Sequence, residues 1–489
     1  MPSAKRSGNP FIVSTGMEKV DSKTRRLIRS HVMLGKNVGK SQPAKRRSPK
    51  DPPKKSGDIV SSNDGPEDPL GVLVRTSRSS IPNRVGSDLS FIQFADTVQP
   101  ATLADLLKFT SVAKEILFPL ESCFIFERKD KRWFDPLTFD AAYLNAIVFS
   151  TRAYIDFMSG HKTPIISQAA TLYFTKTIRL LRERLLLADE QANVSDSTVF
   201  VILTLAMVSH QFGGHFSARY HLEGLHRIVT LRGGLESFGY IPKLLIEILR
   251  CDIGMALHTG AKPLFSLDNI SESFMHYPDQ TLAFMPERTP PMDLQYHHTE
   301  FPDVLDDDLT TAWKVLQRFC RMINLAAETK YKFPQETLLH TMATVMYRLL
   351  HMQFAPGSVD EAIRLGLLAF SSNIFLQLQN VKPPYIYLPN AFRCCLLELQ
   401  LPRERPSRLL LWLLFIGALS VFSDPDADAW LKPWLQSEVQ SSGVHSWREL
   451  REGLKSFLWI DIVHDKPGQR IFDSIVENPQ GLRPALGGL

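Results

Sequence analysis

Cysteine is scarce in this 489-residue chain. There are five, Cys123, Cys251, Cys320, Cys394 and Cys395, and the first stands well inside the sequence. They are scattered and odd in number, and only the last two adjoin, where neighbours rarely bridge. A disulfide framework is therefore excluded, and the usage fits reduced thiols in a cytosolic or nuclear compartment. Long apolar runs are also lacking. The most apolar stretch, 409–422 (LLLWLLFIGALSVF), falls short of the roughly 20 residues that span a bilayer, so it reads as a buried core helix and no membrane partner is expected. No apolar run follows the first positive charges, so no secretory signal is read there. Strand punctuation is almost absent: no Asn-Gly or Asp-Gly pair sits between alternating runs. Nor is there a G-x-G-x-x-G, a G-x-x-x-x-G-K-[ST], a G-x-S-x-G or an H-E-x-x-H. Together these absences argue against catalysis.

Acidic residues are lacking in one place in particular. The first 55 residues carry fifteen Lys/Arg against only Glu18, Asp21 and Asp51, a formal +12 in a chain whose total is +5. The remainder is therefore mildly acidic, and the two parts suit different partners. Residues 41–87 combine Pro, Ser, Gly and charge with few aliphatics, too little apolar area to offset chain entropy, and are expected to be disordered. Upstream, 21–35 (DSKTRRLIRSHVMLG) has a capping Asp21 and a stop at Gly35, which predicts a short helix with Arg25, Arg26 and Arg29 on one face. Such a helix is marginal without a partner.

From about Thr102 the pattern is helical almost without interruption. Apolar residues recur at three and four spacing over 140–158 and 167–187; 199–208 is apolar all round, as a central helix would be, 221–231 is amphipathic, and 241–257 follows behind Pro242. Residues 259–305 are richer in Pro and read as a long loop. Helical spacing resumes over 306–329, 335–353, 359–379, 408–422, 426–437 and 445–459. The expected architecture is all-α: a basic leader and linker over 1–88, a helical body over 89–475 and a tail over 476–489. No repeat of fixed period supports a solenoid.

Four local signals bear on chemistry. His210, His215, His221 and His226 are five, six and five apart, whereas helical metal ligands usually stand three or four apart. Gly213-Gly214 interrupts the helix here and no cysteine is near, so these histidines read as structural. No metal, cofactor or catalytic residue is assigned. The triplet Asp306-Asp307-Asp308 reads as the acidic first turn of a helix. Leu231-Arg232-Gly233-Gly234 reads as a tight corner between two buried helices, with Arg232 placed to cover carbonyls of the preceding one. The helix that follows is apolar with a single Lys243, which does not suit a DNA-reading helix.

The fourth signal is the basic leader. Lys45, Arg46, Arg47, Lys54 and Lys55 resemble a split nuclear import signal, recognised by an import receptor as a flexible charged peptide. Arg25, Arg26 and Arg29 suit weak, salt-sensitive, non-specific contact with nucleic-acid phosphates. A solvated tail is the plain alternative. An Arg-rich start would also suit a mitochondrial presequence, but the charge continues through a proline-rich stretch near residue 50, which fits nuclear import better.

The body resembles the fungal-specific transcription factor domain, the all-helical region behind the zinc binuclear clusters of fungal regulators. Residues 221–235 (HLEGLHRIVTLRGGL) are similar to that family's helix ending in an Arg-Gly-Gly turn. Residues 409–422 resemble its late apolar Trp helix, and 457–472 (FLWIDIVHDKPGQRIF) its closing segment. Residues 11–40 are similar to the basic leader of members without the zinc cluster. The cluster itself needs six closely spaced cysteines, and the leader has none, so no DNA-contact residue carries over. The resemblance implies a nuclear, transcription-related regulator whose body binds protein partners or a small effector. A non-catalytic scaffold with no promoter role, and an enzyme with a site buried among helices, stay open as alternatives.

Overall fold

The computed structural model describes residues 92–117, 119–125, 134–158, 167–187, 189–265, 305–376, 385–399, 408–422 and 427–476. The basic leader with its expected short helix, most of the expected loop over 259–305 and all of the tail beyond Val476 lie outside them. Of the described region, 79% is helical, which makes the body all-α.

The first six long helices are α1 (Pro100–Leu117), α2 (Ala141–Met158), α3 (Gln168–Leu186), α4 (Asp196–Gln211), α5 (His215–Leu231) and α6 (Pro242–Thr259). After the undescribed 266–304 come α7 (Asp307–Thr329), α8 (Gln335–His351), α9 (Val359–Ser371), α10 (Tyr387–Glu398), α11 (Arg408–Ser420), α12 (Ala427–Ser441), α13 (Trp447–Lys455) and α14 (Asp461–Val476). Among the described residues, a single parallel pairing joins β1 (Phe124–Ile125) to β2 (Phe333–Pro334), with Phe124 opposite Phe333, and ties the early chain to the connection between α7 and α8.

Helix starts are written locally. Ser167, Ser195, Ser358 and Ser446 each accept a hydrogen bond from the backbone N–H three residues on. Asp306 accepts from Asp308 and Leu309, so the acidic triplet caps and opens α7 as its charge requires. Pairs of helices then close on one another by burying apolar stripes: α2 on α3 and α4, α4 on α5, and α9 on α10 and α11. One hydrophobic core runs through the described body from Leu106 to Ile475.

The apolar stretch of α11 is core: Leu411, Trp412, Leu413, Leu414, Phe415 and Ile416 are all buried, each worth about 1.5–3 kcal/mol of transfer free energy. Gly366 of α9 is what lets α11 approach, because a Cβ there would run into Leu413 and Trp412. Residues 191–211 are long and apolar enough to cross a bilayer by length and composition alone. Within the body, however, Val199, Val201, Leu203, Leu205 and Ala206 of α4 pack into the core.

Two helices escape the periodicity reading. Helix α10 carries Pro389 in its first turn, where the missing N–H has no intrahelical partner to lose, and α14 carries Pro467 followed by Gly468. Gly468 is needed there, since a Cβ would stand 2.7 Å from Trp447 and 2.9 Å from Trp459. Helix α13 is shorter than its apolar run suggests. Phe457, Leu458, Trp459 and Ile460 are all buried, and a surface helix can bury only one stripe, so the chain leaves the helix to bury four consecutive residues.

Candidate functional site

The leader residues singled out above, Lys45, Arg46, Arg47, Lys54 and Lys55 with Arg25, Arg26 and Arg29, lie outside the described residues. Among the described residues of the body, four polar groupings stand out.

The first is a surface hollow of about 710 Å³ where α2, α3 and α4 meet, lined by Pro136, Phe139, Asp140, Leu180, Arg184 and Ser197 among others. Asp140 caps α2 by accepting the Tyr143 N–H at 3.0 Å. Its two oxygens also accept from Arg184 and from the Ser197 hydroxyl. Burial alone would raise this carboxyl, but Arg184, Ser197 and the Tyr143 amide outweigh it and hold it below the usual carboxylate range. With both oxygens engaged, the group joins three helices and is not poised as a base.

The second place is the Arg-Gly-Gly corner. Gly233 (φ 96°) and Gly234 (φ 93°) both occupy the positive-φ region that glycine alone enters cheaply, and their amides close back on Thr230 and Val229. Arg232 does not cover carbonyls of its own helix, as the sequence suggested. It reaches across to the start of α4, donating to Val194 O at 3.2 Å and Asp196 Oδ1 at 2.7 Å. It also donates to the Tyr240 hydroxyl and lies 4.1 Å from the centre of the Phe238 ring. The tertiary carboxylate wins because a charged acceptor outbids a neutral carbonyl.

The third is the closing segment. Arg451 grips Asp465 at 2.8 Å and Asp461 at 2.9 Å, and the Trp459 indole N–H donates to Asp465 at 2.7 Å. His464 is fully buried beside them. Its Nδ1 accepts the Ile460 N–H at 2.9 Å, which leaves Nε2 to carry the proton and donate to Asn373 Oδ1 at 3.0 Å.

The fourth gathers three histidines, one from each of three helices. His210 lies in the last turn of α4, His215 is the first residue of α5, and His258 lies in the last turn of α6. The turn between α4 and α5 is made by Gly213 (φ 77°), with the Gly214 N–H returning to Ser209 O at 2.8 Å. The rings of His215 and His258 stack with centroids 3.7 Å apart, and His210 meets each edge-on at 5.4 and 5.3 Å. One ring nitrogen from each lies within 4.8 Å of the other two. Both buried nitrogens of His210, and Nδ1 of His215, lack a hydrogen-bond partner among the described residues. Burial, then His258 and His215, push His210 down to about 3, and burial with His258 lowers His215 as well. Both rings are thus neutral at physiological pH.

Sequence spacing put His210 and His215 in a set with His221 and His226. The structure separates that set: His226 packs against Phe265, and neither it nor His221 joins the cluster. The third member, His258, stands 43 residues beyond His215, and no local signal links them. No family model, no curated protein and no solved structure matches this chain at a significant level.

Proposed function

We propose that the chain is a nuclear, transcription-related regulator of the fungal type, whose helical body binds protein partners or a small effector and which carries no zinc-cluster DNA reader of its own. The observation that carries this reading is the charge split: +12 over the first 55 residues, joined to a mildly acidic remainder. A basic peptide of that kind suits an import receptor, and beyond that polyanions at low salt. The helix 215–231 with its Arg232-Gly233-Gly234 corner adds support, since the resemblance rests in part on that element. Against catalysis stands the way the buried charges are used. Arg250 is spent on Glu247 of its own helix and on Glu121, Arg364 on Glu361 of its own helix, and Asp140 on Arg184, so these groups are committed to structural pairs in place of converging on a substrate.

The test is replacement of Lys45, Arg46, Arg47, Lys54 and Lys55 by Ala in a tagged full-length chain. The expected outcome is loss of nuclear accumulation and of chromatin occupancy with the melting temperature unchanged. Nuclear signal equal to wild type would reject the import role. Altered location with no change in transcripts would favour a scaffold without a promoter role.

A further inference from the structure

We propose that His210, His215 and His258 form a three-histidine site for one divalent transition-metal ion, zinc above all, joining the corner between α4 and α5 to the end of α6. The inference stands whether or not the chain acts in the nucleus.

Convergence comes first. Three imidazoles arrive from three separate helices and place one nitrogen each within 4.8 Å of the other two. A tetrahedral zinc ion with Zn–N bonds of about 2.0–2.1 Å holds its nitrogens roughly 3.3–3.4 Å apart. The cluster therefore needs to draw in by at most about an ångström and a half, which side-chain torsions supply. His210 and His215 are both partly buried, and His215 begins its helix beside a glycine pair, which makes it the member freest to move.

The second observation is the state of the ring nitrogens. Ring stacking accounts for His215 against His258, but it leaves both buried nitrogens of His210 without a partner among the described residues. Leaving buried polar atoms unmatched is costly, and a metal bond removes part of that cost. The third is donor chemistry. No carboxylate belongs to the cluster, so hard cations such as Ca²⁺ and Mg²⁺ are disfavoured. Neutral imidazole is the ligand form that zinc takes, and three of them leave a fourth position open to water or a small anion.

The experiment uses the full-length chain stripped with a chelator, then titrated with Zn²⁺ by calorimetry and with Co²⁺ by visible absorption. Expected are one ion per chain, the intense visible bands of tetrahedral Co²⁺, and a melting temperature raised by zinc. His215→Ala, at the exposed side of the cluster, should keep the fold and weaken binding at least about 100-fold, more than the loss of an outer-shell partner. His258→Ala should do the same, with circular dichroism confirming helix content, while His226→Ala should bind as wild type. Wild-type chain that takes up no stoichiometric Zn²⁺ overturns the site. So does a His215→Ala chain that binds as tightly as wild type.

Discussion

Two histidines from different parts of the body share an electrostatic fate and differ in their partners. His210 and His464 are each pushed down to about 3, in both cases chiefly by burial. His464 has both ring nitrogens engaged, with one tautomer dictated by the Ile460 amide and the Asn373 side chain. His210 has neither nitrogen engaged among the described residues and faces two other imidazoles. Burial therefore does not separate a structural histidine from a candidate ligand. The hydrogen-bond inventory does, because a buried polar atom left unmatched is costly and persists only where something else offsets it.

The largest expected effect tests the scaffold around His464. Trp412 is 1% exposed and its indole N–H donates to Leu458 O at 3.0 Å, holding the segment that leads into α14. Trp412→Ala should destabilise the chain by about 3–5 kcal/mol, read from denaturant unfolding; a wild-type midpoint would contradict its place in the core.

A smaller contrast tests the two histidines directly. His464→Leu removes the acceptor of the buried Ile460 amide and the bond to Asn373, and should cost about 2–3 kcal/mol. His210→Leu in metal-free buffer removes atoms that had no partner and should stay within about 1 kcal/mol of wild type. Equal losses in the two variants would show that His210 is bonded as His464 is.

The smallest effect concerns pH and the hollow beside α2. Asp140 sits below its ordinary value of 3.8 in the folded state. Its contribution is therefore complete above that value and is lost as pH falls through the lower folded one. The stability gap between wild type and Asp140→Asn, about 1–2 kcal/mol at neutral pH, should narrow below about pH 4. A gap that widened with acid would reverse the sign of the argument.

What the sequence by itself determined is local or compositional. Ser167, Ser195, Ser358, Ser446 and Asp306 announce their helices because a capping side chain acts within three residues of itself. The apolar run of α11 announces its burial because no helix face there is polar. The glycines after Arg232 announce a corner because only glycine adopts that backbone cheaply. Prolines in α10 and α14 hid those helices, since proline's cost depends on which turn it occupies. The partner of Arg232, the four-residue burial ending at Ile460, and the meeting of His258 with His210 and His215 were decided only by tertiary structure. These depend on how helices far apart in the chain cross, and crossing is set by the fit of whole apolar faces, which no residue spacing records.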